Sequence, residues 1–477
     1  MKSYLEKFRF YLKGFLAFLR SPIGLILILA LLVRIAFTLF VAKAFFGREN
    51  IYVDGDTYAW ASAIQSLIDT GTYTVNPGLG YGYFGRMPGY SFFIGIFYLL
   101  SGKSWDLAFP IIAFVQILLD VIAVYLVYKI AVKLSSIKLT GLIAAFLYAF
   151  YPFVIVWTPV VYSELFGMFL LILSFWLMLS DLKWNYFYGA FILALAALCR
   201  PQTLLIVPMF AIFILFNNAV LFRKRIISLC CFGLIFVTIY GIWPARNYLG
   251  YQKVILTQDL RGFYNWNEDV LSFLQYIYSV KAEWEPQYSQ LIKNQHVVFP
   301  KEAYLTTEDS LKLEQAVYLA QHCGSGFSHK SGFWKLPFDT PNCNDQIKRL
   351  FQELRENQVK NNKFNFYVKV PVQNLKKALL KSNMVDSKSL ARKLASLLFY
   401  YRTLLILLGI AGVFVMWRKY PGARLAALVI IGYFLILYLT ICAGTSVQLR
   451  NIEMRYFLPA DLLLIIPASF LLQQFKK

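Results

Sequence analysis

The sequence predicts an all-α polytopic membrane protein of about ten transmembrane helices, with a mostly helical extracytoplasmic module inserted before the last three. Composition carries most of that reading. The 477-residue chain is 59% hydrophobic and 18% aromatic but only 15% charged, and its mean hydropathy is positive; soluble domains of this size do not look like this. The apolar residues gather into runs long enough for a hydrocarbon core of about 30 Å. Lys and Arg cluster at the ends of those runs, so the net charge of +22 reads as topology signal and contact with membrane lipids, not as a nucleic-acid surface.

Residues 1–20 mix Lys7, Arg9, Lys13 and Arg20 with Phe8, Tyr11, Phe15 and Leu19, the pattern of a cytoplasmic amphipathic helix. An N-terminal transmembrane domain covers 21–246. Its first span is expected over 23–44, and no small-residue cleavage site follows it, so it is expected to stay in place. A first outer loop runs from 45 to 106. The run from Leu107 to Tyr128 ends in Lys129, Lys133 and Lys138, which puts that end inside. The apolar stretch 91–102 is then too short and wrongly placed for a span and reads as re-entrant or interfacial. Further spans are expected at 139–157, 164–181, 185–199, 202–220 and 226–243. The extracytoplasmic module occupies 247–395, with helical spacing after Thr307, Asn342 and Pro371. Spans near 396–417, 424–443 and 457–473 complete the C-terminal part, 396–477.

This topology places the unusual charges on one side: Asp54, Asp56, Arg86, Glu164, Arg200, Arg246, Glu453 and Arg455 all fall at outer ends of spans or in outer segments. In the first outer loop, Tyr58, Ala61, Ile64 and Ile68 share one face of an amphipathic helix that Gly71 stops. Asp56, just before a helix starting at Thr57, reads as its N-cap. Asp54, two residues earlier, is left without a structural duty and is a candidate general base. An Asp-Gly-Asp can also suggest a metal–nucleotide site, but no phosphate-cradling Gly-rich loop accompanies it. Arginines at span ends often only reach for headgroups. Arg200, Arg246 and Arg455 on one side, with Arg86 and Glu164, point instead to a shared anionic ligand such as a phosphate. Cys323 and Cys343, both in the outer module, are expected to pair. His296, His322 and His329 lack zinc spacing.

Five segments, in order, resemble the GT-C glycosyltransferases: Asp54 with Tyr58 through Arg86-Met87-Pro88-Gly89-Tyr90; the stretch around Glu164; the run ending at Arg200-Pro201; the stretch from Trp243 through Arg246-Asn247; and Glu453 to Arg455-Tyr456. The branch resembled is that of the dolichyl-phosphate-mannose protein mannosyltransferases and their bacterial relatives, including the lipid A aminoarabinose transferases. Met87 and Ser91 stand where many relatives have Pro. The resemblance implies transfer of a sugar from a polyprenyl-phosphate donor to an extracytoplasmic acceptor hydroxyl on a lipid, protein or glycan. It implies Asp54 as the base, Asp56 and Glu164 toward the substrates, and Arg246 and Arg455 on the phosphate, helped by Arg200 and Arg86 beside Asn247 and Tyr456. One base and no protein nucleophile imply a single displacement with inversion. No cofactor is required by this chemistry, and a divalent cation is left open. A transporter or flippase, or a polymerase or ligase of polyprenyl-linked glycans, would share the outer charges; the first predicts inverted repeats, which the sequence lacks.

Overall fold

The computed structural model describes residues 17–263, 267–331, 342–380, 390–444 and 453–476, with the side chains of 329–331 and 390–396 excepted; the amphipathic segment expected over 1–20 lies mostly outside them. Among the described residues the chain is helical throughout, without strands. Six helices are long and apolar enough to cross a membrane. They are α1 (Pro22–Phe46), α4 (Trp105–Ser135), α9 (Phe222–Tyr251), the 397–419 stretch of α16 (Leu390–Lys419), α17 (Arg424–Ala443) and α18 (Met454–Gln473). Shorter apolar helices are α3 (Pro88–Leu100), α5 (Lys138–Ala149), α6 (Ser163–Leu179), α7 (Asn185–Cys199) and α8 (Pro201–Leu215). Six of the expected spans fall on the long helices; those at 139–157, 164–181, 185–199 and 202–220 fall on shorter ones, as does the stretch 91–102 on α3.

Local chemistry sets the boundaries. Ser21 caps α1, its hydroxyl accepting from the Gly24 amide at 3.2 Å with Pro22 at the first helical position, where a missing N–H costs nothing. The span expected over 139–157 instead breaks after Ala149, because Pro152 cannot continue a helix and the chain restarts in a short turn, Pro152–Ile155. Arg200 is forced extended by Pro201 (φ −143°, ψ 116°), which ends α7 and starts α8. The tightest helix crossing is α16 on α18, where a Cβ on Gly412 would collide with the Pro467 carbonyl.

The helix α2 (Gly55–Thr70) begins two residues earlier than the sequence suggests. Asp54, not Asp56, is its N-cap: the Asp54 carboxylate accepts from the Gly55 amide at 2.7 Å, and its own amide donates to Thr57 Oγ1 at 3.1 Å. Gly55 at the first helical position exposes backbone but imposes no clash, so the stronger cap wins. The buried face also differs from the expected one. Ala61 and Ile64 are buried with Trp60 and Ala63, whereas Tyr58 is 61% exposed. Gly71 ends the helix at φ 76°, a left-handed conformation that suits Gly.

Between α9 and α16 lies the inserted module, with its own core. Here α10 (Glu268–Val280) buries Phe273, Tyr276 and Ile277 against Phe351 and Leu354 of α14 (Asn344–Asn361), and α12 (Thr307–Cys323) packs on α14 and adds Leu313, Ala316 and Ala320 to the same core. α11 (Glu285–Ile292) and α13 (Ser325–Ser331) flank them, and α15 (Val370–Leu380) leads back to the bundle. Cys323 and Cys343 are joined in a disulfide with Cα atoms 5.4 Å apart.

Candidate active site

The charged residues converge at one end of the bundle, where α6 and α18 begin and α7 and α17 end. A cavity of about 840 Å³ opens there. Its walls are of three kinds. Leu204, Leu205, Leu437 and Ile441, from α8 and α17, make an apolar wall. Asp56, Arg86, Glu453 and Arg455 make a charged belt. Phe263, Tyr278 and Trp284, from the connection after α9 and from the module, supply aromatic surface with Gln258 among them.

The belt is a connected set of ion pairs. Asp56 lies in the first turn of α2, where the helix dipole favours an anion. Its Oδ1 is 2.7 Å from Arg86 Nη2 and its Oδ2 is 2.8 Å from Arg455 Nη1. Burial pushes this carboxyl's pKa up, but the guanidinium groups of Arg86, Arg455 and Arg200 outweigh it and hold the pKa below the ordinary value. Arg455 also meets Glu453 through Nε at 2.5 Å and approaches Glu164 at 3.6 Å. Behind the belt, Glu164 (side chain 2% exposed) pairs with Arg200 at 2.7 Å. Arg200 donates to Ser163 Oγ at 3.2 Å, and Gly167 leaves room for its stem, since a Cβ there would be 3.1 Å from Arg200 Cγ. Aromatic faces complete the cradle: Arg86 lies over Trp60 at 4.6 Å, and Arg455 over Tyr162 at 5.2 Å and Tyr456 at 5.3 Å.

The structure thus brings Asp56, Arg86, Arg455 and Tyr456 to the cavity and sets Glu164 and Arg200 behind them. It does not bring the others. Asp54 caps α2 and pairs with Arg48 at 3.2 Å; only its neighbour Gly55 lines the cavity. Arg246 is set apart as well. Its Nη1 donates to the Tyr83 carbonyl and to Asn247 Oδ1, and its Nη2 to the Tyr73 carbonyl and to Tyr251 Oη, at 2.8–3.3 Å. A guanidinium so committed pins the first loop to α9 and has little left for a phosphate. Asn247 is buried and donates to the Ile255 carbonyl at 2.9 Å, again shaping the backbone. Glu453, grouped with the outer charges from the sequence but given no role there, lines the cavity beside Arg455. As for a divalent cation, no cluster of three His, Cys, Asp or Glu able to hold one exists among the described residues. The acids of the belt are taken up by arginines instead.

The all-helical bundle, with a charged, aromatic-lined cavity at one end and an inserted helical module, shares its overall fold with solved archaeal oligosaccharyltransferases. Residues 86–243 match the family model described as dolichyl-phosphate-mannose-protein mannosyltransferase, a segment that includes Arg86, Glu164 and Arg200 and stops short of Arg455. The chain is similar to the oligosaccharyltransferase of Archaeoglobus fulgidus in complex with Zn and sulfate (12% identity, TM-score 0.52, covering 94% of this chain and 49% of that one). It is also similar to AglB of the same organism in complex with an inhibitory peptide and a dolichol-phosphate (13%, TM-score 0.51, 95% and 50%). ArnT from Cupriavidus metallidurans bound to undecaprenyl phosphate matches at 12% identity and TM-score 0.35, over 94% of this chain and 77% of that one. The chain spans about half the length of the archaeal structures. No curated protein matches it by sequence.

Proposed function

We propose that the chain is a membrane glycosyltransferase that moves a sugar from a polyprenyl-phosphate donor to an acceptor hydroxyl at the extracytoplasmic face. The observation that carries this is the cavity itself. It joins an apolar wall on span ends, suited to a prenyl chain, to two arginines suited to a phosphate, beside carboxylates suited to a proton. The family match over 86–243 and the fold shared with a protein solved in complex with a dolichol-phosphate support the same donor class.

In this reading the prenyl chain lies along Leu204, Leu205 and Leu437, and the phosphate sits at Arg455 and Arg86. The acceptor hydroxyl attacks the anomeric carbon directly, with inversion. Charge develops on the departing phosphate, where pre-placed guanidinium groups stabilise it without reorganising. The proton goes to the head of α2, where Asp54, the acid singled out by the motif, and Asp56, the acid on the cavity, stand two residues apart. The acceptor enters past Trp284 and Tyr278.

The test is release of polyprenyl phosphate from polyprenyl-phosphate-linked sugars by membranes with and without the chain, with envelope glycans and lipids as acceptors. Turnover should depend on the chain and fall at least 100-fold in Arg455→Gln, the scale of losing one charge-stabilising donor. Absence of turnover with any such donor, or full activity of the variant, would refute the reading. Asp54→Asn and Asp56→Asn in the same assay decide which acid takes the proton.

A further inference from the structure

The charged belt and its support are self-neutralised. Asp56, Glu164 and Glu453 face Arg86, Arg200 and Arg455 in one connected set, and Arg246, expected to add a fourth positive charge, is committed elsewhere. Among the described residues that line the cavity, both arginines, Arg86 and Arg455, are already paired, so an incoming anion that binds them must draw them away from a carboxylate.

Geometry identifies which. Glu164 is buried with Arg200 behind the cavity wall. Glu453 holds Arg455 by its Nε, from two residues away on the same segment. Among the described residues, Asp56 alone bridges two arginines from separate elements inside the cavity, one oxygen to each, at 2.7 and 2.8 Å. Two oxygens on one centre between Arg86 and Arg455 are also what a phosphate would present.

Resting on the glycosyl-transfer reading, we propose that the Asp56 carboxylate is a resident stand-in for the donor phosphate: the phosphodiester displaces it from Arg86 and Arg455, and the released carboxylate then accepts the acceptor's proton. As the acceptor oxygen bonds to the anomeric carbon, its hydrogen passes to an Asp56 oxygen. The bond from that carbon to the phosphate oxygen breaks, and its electron pair leaves with the polyprenyl phosphate, whose second negative charge stays on the two arginines. The exchange makes the base conditional on the donor. While Arg86 and Arg455 hold Asp56, they suppress its basicity; once they turn to phosphate, burial is left as the dominant influence and its affinity for a proton rises. Donor must therefore bind before the acceptor is activated.

The probe is farnesyl methyl phosphodiester, whose phosphate does not titrate near neutral pH, bound to the full chain in nanodiscs. Asp56→Asn removes the competing anion and keeps the shape. It should bind the probe at least threefold more tightly than wild type while losing transfer. Equal or weaker binding, or retained transfer, overturns the proposal. Binding to the wild-type chain, followed across the acidic range, should also take up a proton, read by calorimetry in two buffers of different ionisation enthalpy, and this decides the matter if Asp56→Asn does not fold: no uptake at any pH overturns the exchange. Failure of the wild-type chain to bind the phosphodiester at all would instead remove the donor reading, and the proposal with it.

Discussion

Single residues at the head of α2 and α10 show how position decides what a carboxylate does. Asp54 is half-exposed, accepts from the Gly55 amide and touches Arg48, so its measurable duty is the helix end. Asp54→Ala should cost about 1 kcal/mol of stability and Asp54→Ser much less, as caps do; thermal unfolding in detergent that ranks the two equally would rule the cap out as the source. Asp269 poses the opposite problem. It is buried in the module, and burial pushes its carboxyl up to about 6, against hydrogen bonds from the Val270 and Gly326 amides that favour the anion. A carboxyl raised in the folded state stabilises fully below its unfolded pKa, near 4, and loses that contribution as pH climbs through about 6. The module should accordingly resist proteolysis better at pH 4.5 than at pH 7.5, by about 2 kcal/mol, since a shift of about two units is not fully expressed above pH 4. Asp269→Asn should flatten the difference; an unchanged pH dependence in that variant would place its origin elsewhere.

Among the elements, α15 is the one whose setting the sequence hides. Asn374 donates to the Cys442 carbonyl at the end of α17, and Arg402 and Thr403 of α16 donate to the Ala378 and Leu379 carbonyls. The helix is thus fastened beside two spans, with Val372 and Leu375 facing outward at 59% and 40% exposure. A module helix tied at that level turns those side chains toward lipid. A fluorophore on Leu375→Cys should be quenched by nitroxide-bearing lipid, whereas one on Gln290→Cys, in the module, should not; equal quenching would mean that α15 stands clear of the bilayer. The spans were legible because a run of apolar residues has one solution in lipid, whatever its neighbours. The site was legible as a set of residue types in order, but not as a geometry. Spacing alone does not say which of two acids two residues apart ends α2: the structure puts Asp54 on the cap and Asp56 in the first turn, on the cavity. Arg246 has the chemistry of a phosphate ligand, and only the fold reveals that the Tyr73 and Tyr83 carbonyls claim it.

Across the whole molecule, two buried triads repeat one design. Arg34 of α1 meets Asp120 of α4 at 2.5 Å, whose other oxygen accepts from Tyr148 of α5 at 2.9 Å, while Arg34 also reaches the Ala149 carbonyl. Arg402 of α16 meets Asp461 of α18 at 2.7 Å, whose other oxygen accepts from Tyr438 of α17 at 2.7 Å, while Arg402 also reaches the Ala378 carbonyl in α15. Each triad locks three span-bundle helices, and the second adds the module to them. Charges buried this deeply stay only because each partner neutralises the other, so the triads act more as registers than as net stabilisers. Removing one partner leaves an uncompensated charge: Arg402→Leu should destabilise by about 3–5 kcal/mol. Replacing both, as Arg402→Met with Asp461→Leu, should recover most of that in thermal unfolding, because no lone charge remains. Asp461 lies six residues along α18 from Arg455, so the recovered double variant still lacks the lock that sets the helix against α15 and α17. Its stability should return further than its transfer activity. If stability and activity return together, register is not what the triad provides; if neither returns, the pair stabilises the bundle beyond mutual neutralisation.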